Sequence, residues 1–168
     1  MFRILLAPVL VVLVLSKDDT AASVAAAVFV FGAFTDGLDG YLARRYSSSS
    51  TIGQWLDPLA DKILVSAPVI ALSVIGAFPV WAAVIIVGRE LAVSLLRTYL
   101  GTRGIAMPAS VWGKAKTAVQ MVLVPVYLLP LGSGAETTKR VVLALAVALT
   151  LWSGLDYFLA ARRRAPVP

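Results

Sequence analysis

With 60% of its 168 residues hydrophobic and only 14% charged, the chain is too apolar for a soluble domain of this size, and it is short enough to be one membrane domain over residues 1–168. The net charge of +6 fits basic residues gathered in cytoplasmic loops, and no basic stretch with interleaved aromatics points to nucleic acid. The absence of cysteine and histidine excludes thiol chemistry, disulfides and the usual zinc ligands, so any bound metal rests on oxygen, as Mg2+, Mn2+ or Ca2+ does.

Apolar runs broken by short polar loops predict an all-α, polytopic membrane fold of six transmembrane helices, over about residues 2–16, 21–45, 52–76, 79–101, 110–131 and 139–162. A crossing needs about 20 residues at 1.5 Å each, which all but the first run satisfy. Met1-Phe-Arg3 with the apolar run to Leu15 has the look of a signal peptide, but the apolar segments simply continue downstream, so the run is read as the first helix. Arg3, Arg44, Arg45, Lys62, Arg97, Arg103, Lys114, Lys116 and Arg162 to Arg164 fall on one side of this arrangement, and Lys17, Lys139 and Arg140 on the other. The richer side is expected to be cytoplasmic, which puts both termini and loop 46–51 on the cytoplasmic side of the cell membrane. Ser47 to Ser50 reads as a polar turn between the second and third helices, and Gly132 to Glu136 as a short outer loop.

The second and third helices carry Asp36, Asp39, Gly40, Ala43 and Arg44, then Gly53, Asp57 and Asp61. Acids at membrane depth are costly and mark function. Taking Asp36 as zero, Asp39 lies at about −60°, Gly40 at about +40° and Ala43 at about −20° around a helix. Gly53, Asp57 and Asp61 step by about 40° each and also share a face. An antiparallel hairpin can therefore bring four carboxylates together near its cytoplasmic ends, with small residues that let a ligand approach. Four carboxylates at one point repel unless cations join them, and one or two divalent ions would also neutralise a diphosphate. Arg44 sits at the mouth as a phosphate donor.

These residues match, position for position, the signature Asp-x2-Asp-Gly-x2-Ala-Arg-x8-Gly-x3-Asp-x3-Asp, and on that match the chain resembles the CDP-alcohol phosphotransferases. The resemblance implies a six-helix membrane fold, usually a homodimer, that cleaves a CDP-linked lipid at its diphosphate and releases CMP. It implies that Asp36, Asp39 and Asp57 bind Mg2+ or Mn2+ (two ions), and that Asp61 is both ligand and the base for the acceptor hydroxyl. It further implies that Gly40, Ala43 and Gly53 line the cytidine nucleotide site, together with the metal-binding acids, and that Arg44 lies near its phosphates. Members of the family usually have a short polar and amphipathic lead-in before the Phe-Arg that corresponds to Phe2-Arg3, and this sequence starts inside that segment.

The acceptor is read from Gly88-Arg89-Glu90 with Ser94 and Arg97 in the fourth helix, and from Gly113 to Met121, with Lys114 and Lys116, at the start of the fifth. Glu90 and Arg97 are only about 20° apart around the axis, and Arg89 about 80° from Arg97. Arg89, Arg97, Lys114 and Lys116 suit an anionic acceptor such as a glycerol or sugar phosphate. Lys114 and Lys116 also suit positive-inside anchoring, Arg89 also suits pairing with Glu90 or a motif carboxylate, and Arg97 also suits snorkelling to the interface. These stretches, with Asp57 to Lys62 and Leu151 to Tyr157, resemble the phosphatidylglycerophosphate synthase branch of the family. That resemblance implies transfer of the phosphatidyl group of CDP-diacylglycerol to sn-glycerol 3-phosphate. Cardiolipin synthase and phosphatidylinositol-phosphate synthase are the rivals within the family, and a cation carrier the rival outside it.

Overall fold

The computed structural model describes residues 2–46, 51–105, 107 and 110–164, with side chains described except at 2–4, 36–46, 51–61 and 133. All regular structure among the described residues is helical: α1 (Phe2–Leu15), α2 (Asp19–Tyr46), α3 (Thr51–Val74), α4 (Val80–Thr102), α5 (Val111–Leu128) and α6 (Glu136–Arg164), with a 3-10 turn at Ser133–Ala135. The expected turn at Ser47 to Ser50 lies outside the described residues.

The helix boundaries follow from local chemistry. Asp18 Oδ2 accepts the Ala21 N–H at 2.8 Å and so caps α2. Both α3 and α4 end in a left-handed glycine. Gly76 has φ +78°, with Ala77 N–H donating to Leu72 O and Gly76 N–H to Ser73 O, and Gly104 has φ +73°, with Ile105 N–H donating to Leu100 O and Gly104 N–H to Gly101 O. This paired bonding satisfies carbonyls that the helix end would otherwise leave bare. An L side chain in that backbone region costs about 1–2 kcal/mol. Gly104→Ala is accordingly expected to lower stability by about 1 kcal/mol, read as a fall in the thermal unfolding midpoint.

The fifth helix stops three residues short of the expected 131. Leu129 is extended at φ −66°, ψ 137°, because the ring of Pro130 crowds the helical conformation of the residue before it. The sixth starts three residues earlier than 139, after the 3-10 turn, with Glu136 in its first turn against the positive helix end.

The interior is one cluster. Leu10 of α1, Phe29 of α2, Leu64 and Val69 of α3, Ile86 of α4, and Leu123 and Val124 of α5 are all fully buried. The α1 helix lies against α2 and α3, α5 contacts α2, α3 and α6, and α4 packs between α3 and α6. Small residues hold the helices close: Ala25, Ala26, Ala82, Ala83 and Ala146 are buried at the contacts. Outward faces remain apolar. Trp81, Val84, Leu91 and Leu95 on α4, and Leu151, Trp152, Leu155 and Phe158 on α6, are exposed. By length and composition α6 can cross a membrane, whereas the described apolar stretches Leu5–Leu15, Asp19–Thr35 and Lys62–Val74 are shorter. Three charges, Arg89, Glu90 and Arg97, interrupt α4.

Candidate active site

Two groups of residues bear on the site, one on α2 and α3 and one centred on α4. The first is the carboxylate motif. Asp36, Asp39, Gly40, Ala43 and Arg44 lie in the last turns of α2, and Gly53, Asp57 and Asp61 in the first turns of α3. Their side chains lie outside the described residues. Helical backbone through both segments gives each acidic pair the shared face that its i, i+3 or i, i+4 spacing requires. Carboxylates are hard oxygen donors, so this set fits Mg2+ or Mn2+.

The second group is a hydrogen-bonded basic cluster built from four helices. Lys62 follows Asp61 on α3, their Cα atoms about 3.8 Å apart as in any trans peptide. It donates to Ser94 Oγ of α4, which in turn donates to the Glu90 carbonyl. The Glu90 carboxylate accepts from Lys116 Nζ of α5 and, at 3.3 Å, from Arg89 Nη1. The Arg89 Nε and Nη2 atoms are buried and have no hydrogen-bond partner among the described residues. Leaving such donors unmatched is unfavourable, and together they form the side-on fork that fits two oxygens of a phosphate or carboxylate.

The α6 helix closes the cluster. The Tyr157 hydroxyl accepts from Arg97 Nη2 at 2.5 Å and from the Ser110 N–H at 3.3 Å, while Ser110 Oγ caps α5 by accepting the Gly113 N–H at 3.0 Å. Gly154 makes room for Arg89: a Cβ there would stand 3.3 Å from Arg89 Cγ. Farther along α5 and α6, buried Gln120 donates to Thr150 Oγ1 at 3.3 Å, and Thr150 donates to the Ala146 carbonyl. Gln120 and Thr150 thus meet across α5 and α6.

Of the four cations singled out for the acceptor, Arg89, Arg97 and Lys116 come together. Lys116 is 3% exposed and bound to Glu90, so it is more than a surface anchor. Lys114 points outward, exposed, and takes no part in the cluster among the described residues. The structure keeps Ser94 in the cluster and adds Lys62, Ser110 and Tyr157 to it. Ser94 was read with Glu90 and Arg97, and the three fall within about 60° on α4. No local pattern marks Lys62 or Tyr157 as their partners, because those contacts depend on how α3 and α6 pack on α4.

Residues 1–152 match the sequence profile described as CDP-alcohol phosphatidyltransferase. The chain is 42% identical over 143 residues to a probable phosphatidylglycerophosphate synthase of Mycobacterium tuberculosis (strain ATCC 25618 / H37Rv), covering 85% of this chain and 68% of the relative. It is 37% identical over 167 residues to the CDP-diacylglycerol–glycerol-3-phosphate 3-phosphatidyltransferase of Pseudomonas fluorescens, covering 95% and 85%. To the protein of that same name from Bacillus subtilis (strain 168) it is 34% identical over 171 residues, covering 93% and 89%.

Proposed function

Because the chain belongs to the CDP-alcohol phosphatidyltransferase family, we propose that it transfers the phosphatidyl group of CDP-diacylglycerol to sn-glycerol 3-phosphate, yielding phosphatidylglycerophosphate and CMP. The observation that carries the choice of acceptor is the buried, unmatched fork of Arg89, set among Lys62, Arg97 and Lys116 beside the carboxylate helix α3. Such a fork binds a phosphomonoester through two of its oxygens.

In this reading Asp36, Asp39, Asp57 and Asp61 hold Mg2+ or Mn2+, two ions for four carboxylates. Held there, such ions would supply charge neutralisation for the diphosphate and its leaving group. Gly40, Ala43 and Gly53 let the cytidine nucleotide approach the two helices, and Arg44 contacts its phosphates. Asp61 takes the proton from the acceptor hydroxyl. The hydroxyl oxygen attacks the phosphatidyl phosphorus, the bond to the bridging oxygen breaks, and that electron pair leaves with CMP. Arg89, Arg97 and Lys116 hold the acceptor's own phosphate, and Lys62 extends the positive field toward Asp61. Glu90 holds Arg89 and Lys116 in place and offsets part of their charge.

The exposed apolar faces of α4 and α6 support a polytopic protein of the cytoplasmic membrane, since so much outward hydrophobic surface needs lipid. Basic Arg162 to Arg164 in the last turn of α6 support both termini on the cytoplasmic side, and the family resemblance supports a homodimer. The substrate's acyl chains then stay in lipid while its head reaches the carboxylates.

The test is an acceptor panel with labelled CDP-diacylglycerol and the protein in lipid bilayers. CMP release is expected with glycerol 3-phosphate, to stop with EDTA and to resume with Mg2+ or Mn2+. Turnover with phosphatidylglycerol alone, or with an inositol phosphate alone, would overturn the acceptor. Turnover that survives EDTA would overturn the metal assignment.

A further inference from the structure

Resting on the acceptor reading above, we infer that Tyr157 is a positioning residue for acceptor binding, acting from α6 on the two arginines of α4. Arg97 is the exposed member of the pair, while Arg89 is mostly buried. An exposed arginine carries much rotamer freedom, and a ligand that uses it must first order it. Tyr157, itself 5% exposed, supplies that order in advance. Its hydroxyl accepts from Arg97 at 2.5 Å, and its ring centroid lies 5.4 Å from the Arg97 guanidinium carbon and 5.6 Å from that of Arg89. Both distances are within cation–π range.

The same hydroxyl accepts the N–H of Ser110, the cap of α5, the helix that brings Lys116. One phenol thus ties the arginines of α4 to the start of α5. Its hydroxyl holds one donor of Arg97 and its ring faces both guanidinium groups, which fixes where their remaining donors point. The link spans 60 residues of sequence and joins the end of the chain to the site.

Tyr157→Phe keeps the ring and removes the hydroxyl. In bilayers this variant is expected to raise the KM for glycerol 3-phosphate about tenfold, with kcat and the KM for CDP-diacylglycerol changed less than about twofold. In an Arg97→Ala background the same substitution is expected to add nothing further, since the two act as one unit. Additive losses in that cycle, or equal rises in both KM values, would reduce Tyr157 to scaffolding and overturn the inference. Orthophosphate titrated against thermal unfolding reads the pocket without turnover. Its stabilising concentration is expected to shift upward in Tyr157→Phe, and superimposable titrations would overturn the inference. A wild-type protein that rejects glycerol 3-phosphate overturns the acceptor reading alone, because the phosphate titration still compares the two proteins.

Discussion

Asp61→Asn is expected to lower CMP release from CDP-diacylglycerol by about two to four orders of magnitude, the usual contribution of a positioned general base. The substitution keeps the size of the side chain and removes its charge and its ability to take a proton. Because Asp61 is also assigned as a metal ligand, two causes of loss must be separated. Raising Mg2+ restores a site that has only lost affinity for the ion, whereas it cannot restore a missing base. The expected result is a fall in kcat that persists at saturating Mg2+. Recovery at high Mg2+ would reduce Asp61 to a ligand, and unchanged CMP release would remove it from the chemistry.

Arg89→Ala carries the second large effect. The guanidinium is held on one side by Glu90 at 3.3 Å and leaves Nε and Nη2 without a partner among the described residues. If those donors take the acceptor phosphate, their loss removes charge-assisted hydrogen bonds worth about 1.5–3 kcal/mol. At about 1.4 kcal/mol per factor of ten, the KM for glycerol 3-phosphate rises about 10- to 100-fold. The KM for CDP-diacylglycerol is expected to stay within about twofold. Arg89→Lys is expected to recover little, because an ammonium cannot present the planar fork. Steady-state kinetics with each substrate varied in turn decides the matter. Equal rises in both KM values would move Arg89 out of the acceptor pocket.

Much of this was legible from the chain alone, for reasons that lie in particular residues. The six helices were predicted within three residues of their ends, since long apolar runs are punctuated by Asp18, Gly76, Pro79, Gly104 and Pro130, each with its own local effect on the backbone. The carboxylate motif was visible because its spacings are helical spacings: Asp36 with Asp39, and Asp57 with Asp61, are neighbours on a helix wherever that helix is placed. The early end of α5 was not foreseen, although Pro130 carries the signal in its effect on Leu129.

The basic cluster divides differently. Arg89, Glu90 and Arg97 could be grouped by phase on α4, but helical phase says nothing of which neighbour the face meets. Lys114 and Lys116 were equivalent by composition. Packing separated them, burying Lys116 against Glu90 and leaving Lys114 exposed. Gly154 reads as one more small residue on α6 until Arg89 is found lying against it. Tyr157 is an aromatic in an apolar helix until its hydroxyl is seen to accept from both Arg97 and Ser110.

The all-helical character, the helix lengths and the carboxylate spacing follow from local sequence, because they depend on contacts within a few residues and on the 3.6-residue turn. Helix packing alone set which of the cations lie together and brought the Tyr157 hydroxyl to Arg97. Those contacts join α3, α4, α5 and α6 across 26, 32 and 60 residues of chain. Their partners are chosen by the angle and depth at which whole helices pack, which no local pattern encodes.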